Sequence, residues 1–311
     1  MVDIIERIND YSKDHCWQYD IRLKNEKEDI KKLPLTEEEI KNLKTSDFVY
    51  KLVTDKRERK NLTKFIERHE WLGNLSQFTT HWFAAYLTVN DGFNEFEILA
   101  GVILMNMPNS FSKMLGDDTK NIERLVSRGA CISWSPKNLA SNFLMWCINY
   151  MAKNTQYRLF TAYSDPTAKE IGTIYQACNW YYLGQNSGTT KRYINPYSGK
   201  LVSDRVFRAR SFYKKYAKDL GIEWQKNWNN DQSMLWENVP DDIEKKLRDY
   251  SKYMQNKTDY YIFPSKHKYA YIQGKNKLET KKLRKKFLKN NKIYDYPKNR
   301  IEYFKIEKVE K

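Results

Sequence analysis

The stretch YSDPTAKEIGTIYQACNWYYLG, residues 163–184, overlaps a short apolar run, LFTAY at 159–163, and closes on another, WYYL at 180–183. Asp165-Pro166-Thr167 stops the first run, because proline has no N–H to continue a strand's hydrogen-bond ladder. Residues 168–179 then read as a helix, with Gly172-Thr173 where that helix would approach its neighbours closely. The stretch is thus strand, polar turn, helix and strand. It sets an acid, a hydroxyl and Tyr175 at the kind of junction where α/β folds carry their chemistry.

Upstream, FVYKLVT (48–54) reads as a strand, and 55–71 as a helix with Leu62, Phe65 and Ile66 on its apolar face. HWFAAYLTV (81–89) and ILAGVILM (98–105) flank Asn90-Asp91-Gly92, the signature of a hairpin. IERLVSRGACI (122–132) is a fourth strand, followed by a turn at 133–138. A helix over 139–152 then carries Phe143, Leu144, Cys147, Ile148 and Met151 at core spacing. The order to residue 183 is β, α, β, β, β, α, β, α, β. Residues 1–45 read as a helical lead-in, in which Thr36 and Glu39 form a capping box. Beyond the core, 195–255 is mostly helical, best at 211–220 and 241–254. Strands at 260–263 and 268–273 and a very basic helix at 278–290 follow. The pattern predicts an α+β fold with a mixed central sheet flanked by helices and a helical, basic C-terminal elaboration. Its expected divisions are 1–45, 46–194, 195–257 and 258–311, the last returning to complete the core.

With 311 residues, 41% of them hydrophobic, the chain has ample material for a core. Four widely spaced cysteines without a CxxC pair point to reduced thiols, and four histidines show no zinc-ligand spacing. The opening residues are acidic and polar, and the longest apolar run, 98–105, is far too short to cross a bilayer. A cytoplasmic protein without membrane association is expected. The net charge of +16 is segregated: residues 1–184 hold 24 basic and 24 acidic side chains, and 185–311 hold 31 and 15. Trp224, Trp228, Trp236 and the tyrosines between 250 and 271 are interleaved with that basic charge. The combination suits a nucleic-acid surface, with cations for phosphates and rings for bases, and also suits a lysine-rich fold whose aromatics are core.

The β-α-βββ-α-β-α-β order is the layout of the GNAT acyltransferases. Four runs go further: FIERHEWLG, LVSRGACISWSPKNLASNFL, AYSDPTAKEIGTIYQACNWYYLG, and KYAYIQGKNKLETKKLRKKFL with its Tyr294-Asp295-Tyr296-Pro297 end. Together they resemble the Mom family of phage DNA-modification proteins, over roughly 46–194 and 258–300. The resemblance implies a GNAT-like transferase that modifies the exocyclic amine of adenine in DNA, by carbamoylmethylation or a related acyl-type transfer, and so protects the DNA from host restriction. It implies acetyl-CoA or another acyl-CoA as cofactor, with a metal such as iron as a further expectation, and the host cytoplasm as location for a phage-encoded chain. Two alternatives stay open: an N-acetyltransferase for another amine, such as a hypermodified base, and a non-catalytic nucleic-acid-binding protein. The implied residues are His69, Arg128, Asn138, Ser141, Asp165, Thr173 and Tyr175, with Arg205 after the Gly199-Lys200 segment. Two positions depart from the family's pattern, Glu70 after the ERH histidine and Ser203 in place of a later histidine.

In the frame of a GNAT pyrophosphate loop the chain has Ser135, Pro136, Lys137, Asn138, Leu139 and Ala140. Asn138 is expected to take the left-handed conformation of a glycine, Lys137 to add charge, and Ala140 to leave the helix start open, with Ser141 and Thr173 completing the cofactor site. Asp165 would accept a proton from the amine and Tyr175 would protonate the leaving thiolate. Arg128 would hold a phosphate, and His69 would act as base or metal ligand. Asp165-Pro166-Thr167 is equally an ordinary capping turn, Tyr175 a core residue and Arg128 an ion-pair partner. Extruded bases need phosphate clamps, for which Lys281, Lys282, Arg284, Lys285 and Lys286 on the basic helix are the expected source, together with Arg205 in the insertion.

Overall fold

A computed structural model describes residues 15–75, 78–90, 92–108, 112–117, 119–185, 190–231, 233–300 and 306–311; the opening part of the expected lead-in, 1–14, lies outside them. The chain forms two compact units, Ser12–Ser187 with Lys266–Ile301, and Gly188–Ser265 with Glu302–Lys311.

The larger unit contains α1 (Trp17–Lys31), α2 (Glu37–Asn42), β1 (Phe48–Leu52), α3 (Lys56–His69), β2 (Thr79–Asn90) and β3 (Glu95–Asn106). It continues with the one-turn α4 (Thr119–Ile122), β4 (Glu123–Cys131), α5 (Leu139–Asn154), β5 (Leu159–Ser164), α6 (Thr173–Ala177) and β6 (Tyr181–Gln185). After the smaller unit, β10 (His267–Ile272) and α9 (Lys277–Asn290) complete it. Its seven strands lie in the order β1-β2-β3-β4-β5-β10-β6, antiparallel at every step except β4–β5, which is parallel. Both faces are covered, as the two-residue period of β2 requires. Phe83 and Ala85 pack with α5 residues Phe143, Cys147 and Met151, whereas Ala84 and Tyr86 pack with α3 residues Leu62, Phe65 and Ile66. α9 contributes Phe287 to a third cluster with Leu159, Ala270 and Ile272.

Two local expectations change. The helix read over 168–179 starts only at Thr173, because Lys169 (φ 57°) and Gly172 (φ 70°) are both left-handed and Pro166–Ala168 is a single 3-10 turn. A side chain at Gly172 would overlap the Tyr269 ring, so the break is fixed by packing from β10. The fourth strand begins one residue late, behind the turn of α4. The capping box at Thr36 and Glu39 is formed, with Thr36 N donating to Glu39 Oε2 at 2.7 Å.

The smaller unit has β7 (Thr190–Ile194), β8 (Leu201–Ser203), α7 (Arg210–Asp219), α8 (Asp241–Lys257), β9 (Tyr260–Phe263) and β11 (Glu307–Val309), with the sheet order β11-β9-β7-β8. Its core is aromatic, built on Tyr193, Phe207, Phe212, Tyr213, Tyr216 and Tyr260. The rings suggested for base stacking are mostly engaged in packing: Trp224 meets Trp228 at 5.4 Å and Trp236 meets Tyr213 at 4.9 Å. Ring and lysine alternate here because aromatic core residues alternate with solvated charges. Among the described residues no helix is long and apolar enough to cross a membrane.

Candidate active site

Parallel strands β4 and β5 pair over only four positions, from Glu123 opposite Leu159 to Val126 opposite Ala162. Beyond that point β4 stays with β3 as far as Cys131 opposite Gly101, and β5 stays with β10 as far as Ser164 opposite His267. The strands therefore part, and a cavity of about 400 Å³ opens between residues 127–131 and 163–165. Arg22 of α1, Glu70 and Trp71 after α3, Ala140 of α5, and Lys266 complete its walls, with the 169–175 turn across the mouth of β5. The volume is that of a small-molecule site.

Two partly buried carboxyls, Glu170 and Glu70, stand in its wall. Glu170 accepts from the Trp71 indole N–H at 2.9 Å and from the Asp165 backbone N–H at 3.1 Å. Burial pushes its carboxyl up to about 7, with the negative charge of Asp165 adding to the rise and the backbone hydrogen bond opposing it. Glu70 is also raised by burial, against the pull of Arg128, whose Nε lies 3.7 Å from Oε1. The Tyr175 phenol is driven upward by burial and then by Glu170 and Glu70, so it stays protonated at neutral pH. Its ring is fixed against Trp180 and Tyr269 at 5.0 and 5.2 Å. A carboxyl that titrates near neutrality can accept a proton at the operating pH, while the phenol in the same cavity stays a neutral hydrogen-bond donor.

Of the residues singled out by sequence, Arg128, Ala140, Asp165, Thr173 and Tyr175 line this cavity together. Asp165 is committed to structure: Oδ1 accepts from Thr167 N at 3.0 Å and Thr167 Oγ1 at 2.6 Å, and Oδ2 pairs with Lys266 Nζ at 3.0 Å. Arg128 donates through Nε to Asn74 O at 2.8 Å and through Nη1 to Ser127 O at 2.6 Å, so it braces the wall. His69 is 6% exposed, 3.8 Å from Asp29 Oδ2 and packed on Phe65 at 4.3 Å; burial lowers its pKa and its neighbours Glu70 and Trp71 face the cavity instead. No cluster of three or more His, Cys, Asp or Glu side chains suited to a metal is found among the described residues.

The turn before α5 is held from α1. Arg22 donates to Ser133 O at 2.7 Å and Ser135 O at 3.0 Å, and Asp29 Oδ2 accepts from Ser133 Oγ at 3.0 Å. Asn138 has φ −96°, not the left-handed value expected of it, and its side chain makes no cap; the chain reaches α5 without a glycine-like residue. Ser141 Oγ donates back to Asn138 O at 3.1 Å, Ser135 is buried, and Lys137 is exposed. Of this turn and the start of α5 only Ala140 lines the cavity; Ser135, Lys137, Asn138 and Ser141 do not, and Arg22, which does, is used on the two carbonyls. Arg205 lies on the 3-10 segment Asp204–Arg208 of the smaller unit, and Lys281, Lys282, Arg284, Lys285 and Lys286 lie on α9; none of the six lines the cavity.

The sequence reading missed Glu170, Trp71, Lys266 and Arg22. Glu170 stood in the quoted stretch five residues after Asp165, and Glu70 stood where the family's pattern was broken. No curated protein matches the chain. The model of the Mom protein family matches residues 63–298, a span that includes both carboxyls, the parting strands and α9, and the chain belongs to the Mom protein family.

Proposed function

We propose that the chain transfers a small acyl-type group to the exocyclic amine of adenine in DNA, with the cavity between β4 and β5 as its active site. Family membership supplies the coarse part of that reading, a DNA-modifying enzyme of phage type. The finer part is carried by one observation: Glu170, titrating at about 7, shares the cavity with the protonated Tyr175. The β-α-βββ-α-β-α-β succession of the larger unit, with its parallel pair in the middle, supports a GNAT-like transferase.

An acyl-CoA, when bound, supplies an acyl carbon activated as a thioester. The start of α5, where Ala140 lines the cavity and Arg22 braces the preceding turn, would hold its pyrophosphate. A cavity of about 400 Å³ admits a base and not a duplex, so the adenine enters extruded from the stack. Glu170 takes the proton that the attacking amine loses, and Trp71 holds its carboxylate in place through Oε1. Tyr175 keeps a proton at its phenol oxygen for the leaving group. Asp165 and Lys266 brace the turn that carries Glu170, and Arg128 braces the opposite wall.

Mass spectrometry of nucleosides from the DNA of cells expressing the chain tests this. A new adenine adduct is expected, reduced roughly 10²- to 10⁴-fold by Glu170→Gln. An adduct on another amine would identify a different acceptor, and an undiminished adduct in the variant would remove Glu170 from the chemistry.

A further inference from the structure

The cations of α9 do not surround the cavity; they lie at the other end of the same sheet. β10 starts at His267, beside the cavity residue Lys266, and ends at Ile272, beside Gln273. Gln273 belongs to a second hollow, a groove of about 860 Å³ along α9 that carries Lys275, Lys277, Lys281, Arg284 and Lys285. At about 3.3 Å per strand residue, the seven steps from Lys266 to Gln273 separate the two sites by roughly 20 Å.

The groove's charge is uncompensated. Residues 275–289 hold eight Lys and Arg against one acid, Glu279, and that carboxylate is paired with Arg158 at 2.9 Å. Lys277, Lys281 and Lys285 stand at successive i, i+4 positions, where like charges destabilise a helix. Among the described residues none of the three takes part in an ion pair. In the smaller unit's α8 the basic groups Lys246 and Arg248 are matched by Asp242 and Glu244 at 3.3 and 2.5 Å. A ridge of cations without internal partners is complementary to a continuous polyanion. Arg284 is anchored, donating to Ile272 O at 3.2 Å with its guanidinium over Tyr271, so the groove floor is rigid.

We propose that this groove is a DNA-backbone track, a second contact that grips duplex flanking the target base while the cavity holds the base itself. The proposal rests on the DNA-modifying reading of the cavity. A separation of roughly 20 Å is about six base steps along a strand, so only DNA extending that far from the target reaches the groove.

The experiment compares the full chain with the triple variant Lys277→Gln, Lys281→Gln, Lys285→Gln. Binding to a long duplex is measured across salt concentrations, and binding to a short oligonucleotide confined to the target base serves as reference. On long duplex the slope of log affinity against log salt is expected to shrink by about 2.7, at about 0.9 for each phosphate no longer neutralised. On the short oligonucleotide the two proteins are expected to bind alike, and the modification rate per bound complex is expected to be unchanged. An unchanged slope on long duplex, or an equal loss on the short oligonucleotide, would overturn the track. Glu170→Gln in the same assays separates this from failure of the functional reading, since it is expected to keep the wild-type slope and lose the adduct.

Discussion

The two ends of the seven-stranded sheet differ in how their ionisable groups meet water. At the cavity end Glu70, Glu170 and Tyr175 are partly buried, and each is raised in pKa chiefly by that burial. At the groove end Lys275, Lys277, Lys281 and Lys285 are exposed. The contrast matches the two tasks proposed above. Moving a proton at neutral pH needs a group whose charge is easily given up, which burial provides. Gripping a polyanion needs charges that never switch off, which solvent provides. One sheet serves both because β5 and β10 run from one end to the other.

The strongest way to break the contrast is Asp29→Ala. Asp29 is buried and takes hydrogen bonds from Arg68 at 2.6 Å and Ser133 at 3.0 Å, joining α1, α3 and the turn before α5. Removing it takes away two charge-assisted hydrogen bonds and leaves the buried Ser133 hydroxyl without its acceptor, while Arg68 keeps Glu28, for an expected loss of about 3–4 kcal/mol in denaturant unfolding. If the ends are independent, the variant keeps the wild-type salt slope for duplex wherever it remains folded. Gly172→Ala sharpens the same point at the cavity mouth. Its φ of 70° and the overlap with Tyr269 predict a loss of about 3 kcal/mol, and an unaltered melting temperature would mean that the turn relaxes freely.

The smallest expected effect is on pH dependence. The Glu170 carboxyl rises from 4.5 to about 7 on folding, so the native state holds this proton more tightly than the unfolded chain. The stability from protonated Glu170 is complete below about 4.5 and is lost as pH rises through about 7, about 2 kcal/mol after allowance for screening. Glu170→Gln should flatten that decline. The modification rate should move the other way, rising through about 7 as the carboxylate forms, and a rate indifferent to pH there would detach the base role from Glu170.

The large sheet was legible because its strands are apolar and bounded by turns: 48–54, 81–89, 98–105 and 159–163 each fall on an observed strand. β7 and β8 escaped, since TKRYI and LVS are short, with β7 mainly polar. The candidate site was legible in place and less so in its residues. Asp165 and Tyr175 both line the cavity, but Glu170 acquires its altered pKa only in the folded pocket, where its partner Trp71 lies 99 residues earlier. His69 carried a better warning: with Leu62, Phe65 and Ile66 it completes the i, i+3, i+4, i+7 stripe of a packed helix face. The basic helix was found by composition alone, yet composition does not say at which end of a sheet a helix lies.

The place of β10 has a consequence for biosynthesis. It lies between β5 and β6, although both precede it in the chain, and among the described residues β6 has no other neighbour in the sheet. At about 5–20 residues per second, the roughly 80 residues from Gln185 to Lys266 take on the order of 4–16 s to synthesise. Through that interval β6 has nothing to pair with, and the cavity lacks Lys266 and the strand whose Tyr269 backs Gly172. A nascent chain halted at Ser265 is expected to expose strand edges and to leave DNA unmarked, so ribosome stalling in this interval would produce aggregation without activity.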